Sequence, residues 1–75
     1  MSERLRPLPA KRVIRKLKKA GFYERHQRGS HVSLKNPKTG RIVVVPMHGK
    51  DIPLATLREI VIHQAGLTIE EFNRL

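Results

Sequence analysis

The stretch "RGSHVSLKNP", Arg28 to Pro37, sets an imidazole after a Gly-Ser pair and ahead of alternating Val and Leu. A free histidine side chain has a pKa of about 6.5, so it gives or takes a proton at neutral pH. An exposed His31 at the start of a strand is therefore a candidate general acid or base. A second imidazole, His48, stands in "VPMHGK" beside Gly49 and Lys50. It is a candidate second proton-transfer group or phosphate ligand. The competing reading of His48 is a loop hydrogen bond, for instance to Asp51. His26 reads as a solvated strand residue, and His63 as a partner of a helix dipole. No His, Asp or Glu spacing has the form of a metal site, and cysteine is absent. The sequence therefore predicts neither a metal nor another cofactor.

The charge balance says what such groups would act on. Sixteen Lys and Arg against six Asp and Glu give a net charge of +10 on 75 residues. That surplus points to a polyanionic partner: nucleic acid, anionic lipid or an acidic protein. Membrane binding calls for a basic amphipathic helix with bulky aromatics on its apolar face. The first helix has the charge without the aromatics, so nucleic acid comes first and a membrane is not expected.

RNA differs from other polyanions in carrying its own nucleophile. A base that removes the 2′-hydroxyl proton lets that oxygen attack the adjacent phosphorus. An acid protonates the departing 5′-oxygen, and cations stabilise the phosphorane. His31 supplies a proton-transfer group, with Lys35 on the same strand face. Gly29 would let a phosphate approach the backbone closely. Ser30 and Ser33 flank His31 and either orient it, bind phosphate or serve as ordinary polar strand residues. Lys11, Arg12, Arg15 and Lys16 on the first helix, with Lys50 in the second histidine's loop, are candidate RNA-backbone contacts. Tyr23 is a possible base stacker, but one aromatic makes no platform.

Several elements have to position these groups. The length allows one domain spanning residues 1–75, which buries only roughly 60% of its unfolded surface. "MSERLRPL" reads as a basic, mobile start with no apolar run of the kind a signal peptide carries. The longest apolar run, "IVVVPM", is far shorter than the about 20 residues a membrane span needs. With no cysteines, a cytoplasmic location is expected.

Pro9 suits a first helical position. "AKRVIRKLKKAG" then carries Val13, Ile14 and Leu17 on one stripe with cations around the rest, and Gly21 and Phe22 close it. "FYERHQR" alternates weakly and reads as a first strand, with Arg28-Gly29 as the turn. "SHVSLK" alternates cleanly, setting Val32 and Leu34 on one face and His31, Ser33 and Lys35 on the other. "RIVVV" is a third strand, apolar on both sides, so its core face is undecided. "PLATLREIVIHQAG" forms a second helix with Leu54, Leu57, Ile60, Val61 and Ala65 on one stripe, opened by Pro53 and closed by Gly66. Thr68 and Glu71 form a capping box for a short last helix, with Leu67 stapled onto Phe72. The order is α-β-β-β-α-α, an α+β class. A three-stranded antiparallel sheet has helices on one face, and His31 points from the open one.

"GFYERHQRGSHVSL" and "VVVPMHGKDIPLATLREIVIHQAGLTIEEF" together resemble the HicA toxin family, small mRNA interferases of bacterial and archaeal toxin–antitoxin pairs. The shared pattern is an A-G-F helix end, a G-S-H strand start, a V-P-x-H segment, a T-L-R-x-I helix and a closing A-G-L with E-E-F. It runs in order over residues 10 to 73. The resemblance implies a fold like a double-stranded-RNA-binding domain, cleavage of mRNA, and a HicB-type antitoxin covering the active site. It places the family's catalytic histidine on His31, and His48 also fits its pattern. The family has a glycine before T-L where this chain has Ala55, which puts the start of the second helix in question.

The expected function is that of a metal-independent endoribonuclease. A non-catalytic double-stranded-RNA-binding module would share the fold and charge and read RNA through its minor grooves and phosphates. A basic adaptor for an acidic protein is a third reading, favoured if RNA affinity at low salt is absent.

Overall fold

Antiparallel pairing in the order β1-β2-β3 places His31–Lys35 (β2) between Tyr23–Arg28 (β1) and Ile42–Pro46 (β3). The computed structural model describes residues 3–75. Helix α1, Ala10–Lys19, precedes the sheet. After it come α2, Leu54–Arg58, a π-helical continuation over Glu59–Gln64, and α3, Ile69–Asn73. The α+β class and the helix-strand order match the expectation.

Side-chain period decides which face of the sheet is which. Val32 and Leu34 of β2 and Val43 and Val45 of β3 are buried in one cluster with Val13 and Leu17 of α1 and Leu57, Ile60 and Val61 of the second helix. The ambiguity of the all-apolar β3 is thereby settled: Val43 and Val45 face the helices, while Ile42 and Val44 stand on the outer face. The weak alternation of β1 has a cause. A bulge between Glu24 and His26 leaves Arg25 without a cross-strand partner. The extra residue brings Tyr23, His26 and Arg28 to the outer face and turns Glu24 toward α1, where it pairs with Lys18 at 2.8 Å.

Helix α1 ends as expected, with Phe22 N–H donating to the Leu17 carbonyl and Gly21 N–H to that of Lys18 across a Gly21 φ of 105°. The capping box at Thr68 is complete in both directions.

Four expectations need correction. Pro9 and Pro53 sit just outside their helices, at the cap, where the missing N–H is equally harmless. The tight turn uses Gly29 and Ser30, with the left-handed φ of 59° on Gly29, so Arg28 still belongs to β1. Leu54 is exposed, because the first turn of α2 projects past the core. The second helix is not α throughout: the Ala65 N–H reaches back to Ile60 and the Leu67 N–H to Val61. Of the start expected to be mobile, residues 1 and 2 lie outside the described residues; in the rest, Leu5 is buried and Leu8 forms a bridge with Ile52. A leucine placed over the core gives that stretch apolar burial that its charges conceal.

The π turn has an evident use. It aims the Gln64 side chain at the outer edge of β3, where its Oε1 accepts the Val44 N–H at 2.8 Å. It also presents the His63 and Gln64 carbonyls to the Arg41 guanidinium. Gly66, at φ 72°, leaves the room Arg41 needs, since a Cβ there would stand 2.5 Å from Arg41 Nε. Ala55 lies inside the first turn of α2, and no described non-glycine residue has positive φ. The helix start therefore needs no glycine at that position.

Candidate active site

Two loops meet at one end of the sheet. Gly29 and Ser30 turn the chain into His31, and β3 runs out through Pro46 into Met47 and His48. The Met47 N–H donates to the Ser30 carbonyl. That bond joins the residues immediately before each histidine and extends the β2–β3 ladder by one pair. The loop after His48 is tied at its far end by the Ile52 N–H on the Leu8 carbonyl, 2.7 Å. The N-terminal segment thus anchors the loop that carries the second imidazole.

The consequence is a facing pair. The His31 and His48 rings are 6.4 Å apart at their centroids and close to perpendicular, at 81°. Both residues are exposed, and neither ring is engaged in a hydrogen bond or ion pair among the described residues. The loop hydrogen bond to Asp51 considered for His48 does not form. Each ring needs a nitrogen within about 3 Å of the atom it serves. The observed gap is wide enough for one phosphoryl group to touch both. Gly29 has open space around the position a Cβ would take, so the backbone beside His31 is accessible.

The other candidates divide. Lys50 is exposed on the His48 loop, and Ser30 is exposed in the turn. Ser33 is on the outer face as expected but is only 8% exposed, enclosed between its cross-strand neighbours His26 and Val44. It forms the floor of the face and is poorly placed to bind a phosphate. Lys35 shares that face but pairs with Tyr23 and Ile42 at the opposite end. Four residues of strand separate it from His31, about 14 Å, too far to serve the same phosphate.

The cations of α1 fall on different sides. Lys11 and Arg15 line a groove with Lys18, Glu24 and Met47, the residue before His48. Arg12 and Lys16 face the other way, lining a separate groove with Arg4, Arg6 and Asn73. Lys16 is committed to structure. Its Nζ donates to the carbonyls of Phe72 and Leu75, both at 3.2 Å, and stands over the Phe72 ring. Burial there, and then the like charges of Arg12 and Lys19, lower its pKa. Lys16, expected among the RNA contacts, thus also ties α1 to the C-terminal helix.

Among the described residues no cluster of three His, Cys, Asp or Glu side chains is gathered that could hold a metal. No helix among them is long and apolar enough to cross a membrane. In the comparison with protein families, the model of the HicA toxin of bacterial toxin–antitoxin systems matches residues 10–67. No curated protein matches the chain.

Proposed function

The chain belongs to the HicA toxin family, and from that premise we propose that it is a metal-independent endoribonuclease, an mRNA interferase whose His31 and His48 share the proton transfers. The observation that carries this reading is the facing imidazole pair at 6.4 Å, exposed at the sheet's end. One ring takes the proton of an RNA 2′-hydroxyl as O2′ bonds to the adjacent phosphorus. The other gives its proton to O5′ as the P–O5′ bond breaks. The products are a 2′,3′-cyclic phosphate and a 5′-hydroxyl. Lys50, on the His48 loop, is the cation nearest in sequence for the charge that builds on the phosphorane. Lys11 and Arg15 hold flanking phosphates along their groove.

Membership of a toxin family implies an antitoxin partner. We take it to be a HicB-type protein that is acidic where it meets the chain and covers His31. Its binding is then salt-sensitive and competes with RNA. The mRNA substrate places the action in the cytoplasm.

End-group analysis of a synthetic RNA, cut by the purified protein with chelator present, tests the chemistry. Cleavage should persist and leave a cyclic phosphate (or its hydrolysis product) and a 5′-hydroxyl. DNA, and RNA methylated at the 2′-oxygen, should bind and stay whole. Loss of activity with chelator, or a 5′-phosphate product, would assign a metal-assisted mechanism. Tight binding of duplex RNA without any cleavage would assign a double-stranded-RNA-binding module.

A further inference from the structure

Antiparallel sheets with one covered face ordinarily present polar residues on the other. This one does not. Of the large apolar side chains that are exposed, Tyr23 at 49%, Ile42 at 45% and Val44 at 41% all stand on the outer face of the sheet. The cross-strand register arranges that face in three rows. Arg28, His31 and Pro46 form the first, His26, Ser33 and Val44 the second, and Tyr23, Lys35 and Ile42 the third. No residue of the three rows carries a carboxylate. The middle row is low at its centre, where Ser33 is enclosed, so along β2 the face dips between His31 and Lys35, a shallow trough. At the β3 edge of this surface, the Gln64 Oε1 accepts the Val44 N–H.

We propose, building on the RNA-cleaving reading, that this trough is the path of a single strand of RNA, with a base stacked on Tyr23 and a phosphate held by Lys35. Apolar side chains, an exposed phenol ring and interspersed cations without acids are the components of single-strand recognition. The trough continues without a break from the His31 row, which is why RNA suits it better than a protein would. A duplex cannot enter, because stacking on Tyr23 requires an unpaired base. From the His31 row to the Tyr23 row is about 14 Å along β2. At ~3.4 Å per nucleotide of a stacked strand that is about four nucleotides, and fewer for a stretched one. One base within that distance of the cut, on one side only, therefore meets the tyrosine.

The experiment uses the full chain and a fluorescent single-stranded RNA with 2′-O-methyl protection, so binding is read without cleavage. An abasic site is moved one nucleotide at a time along it. Binding should weaken about tenfold to a hundredfold when the abasic site occupies one position. Tyr23→Ala should weaken the intact RNA to the same degree and abolish the dependence on that position. Tyr23→Phe should restore both. The His31→Ala chain should reproduce the pattern, and an unprotected RNA should be cut within about four nucleotides of the sensitive position. If no cleavage is seen yet the position-specific coupling persists, the strand path stands and only the nuclease reading fails. If RNA is cleaved but no abasic position is sensitive to Tyr23→Ala, the path is wrong. Tighter binding of a duplex than of its single strand, unaffected by Tyr23→Ala, would also overturn it and leave the apolar face to a protein partner.

Discussion

The two faces of the sheet are built from the same strands and are used in opposite ways. On one, Val32, Leu34, Val43 and Val45 are almost completely removed from water beneath α1 and the second helix. On the other, His31, Val44 and Tyr23 stand open, with none of the described residues across them. Alternation makes neighbours in sequence answer to different demands: Val32 and Leu34 hold the domain together, and His31 between Gly29's turn and Val32 does not. The difference teaches where stability and activity separate. A small domain of this size has about 4–11 kcal/mol of total stability. It can spend most of its apolar residues on one face and leave the other free for chemistry.

The sharpest way to break that division is one substitution on each face. His31→Ala should lower RNA cleavage by about 10²–10⁴-fold, the usual worth of a positioned proton-transfer group. Its stability should move by no more than about 0.5 kcal/mol. Induced without an antitoxin, the native chain should arrest bacterial growth and the variant should not. Leu34→Ala should do the reverse, costing about 2–5 kcal/mol in denaturant unfolding while the folded fraction still cuts RNA. A His31→Ala chain that is well folded and equally toxic would end the assignment of chemistry to this face.

His48 comes next, because it tests whether the open face works with one imidazole or two. His48→Ala should lower cleavage of a synthetic RNA by about 10²-fold. Cleavage undiminished in His48→Ala would make His31 act with water as its only partner. Gly66→Ala should affect the other side of the comparison. It forces a side chain into positive φ and against Arg41, so a loss of about 1–3 kcal/mol in stability is expected with the cleavage of the folded protein retained.

How far these roles were readable depends on how local their causes are. The alternation of "SHVSLK" put His31 outward and Leu34 inward correctly, because period in a central strand is a property of the strand itself. "RIVVV" hid its facing because Ile42 and Val44 are apolar on the open side, a departure that points to binding. "FYERHQR" alternated poorly because the bulge at Arg25 shifts the phase, which no window of residue types shows. The π turn escaped because Leu57, Ile60, Val61 and Ala65 suit either helix. His48 was legible as a candidate, but its meeting with His31 depends on the Ser30–Met47 and Leu8–Ile52 bonds, which join distant segments. Leu5 and Leu8 were hidden in a run of charge for the same reason. Lys16 looked like any other helix cation, since its partners lie at the far end of the chain.

That last contrast gives the finest test, within a single helix. Lys11 and Arg15 open onto the groove that reaches Met47, whereas Arg12 and Lys16 open onto the groove beside the C-terminal helix. If RNA leaves the His31 end across the first groove, Lys11→Ala and Arg15→Ala should each flatten the dependence of log affinity on log salt by about 0.7, the value for one phosphate contact on a single strand. Arg12→Ala, which removes the same charge from the other side, should leave that slope unchanged. Lys16→Ala should also leave it unchanged but should lower stability by about 1–2 kcal/mol, because the carbonyls of Phe72 and Leu75 lose their donor. Titrating the four variants with one protected RNA at several salt concentrations, beside their thermal melts, reads both effects. Equal slope changes at all four positions would mean that the charge of α1 acts only as a diffuse field, with neither groove guiding the strand.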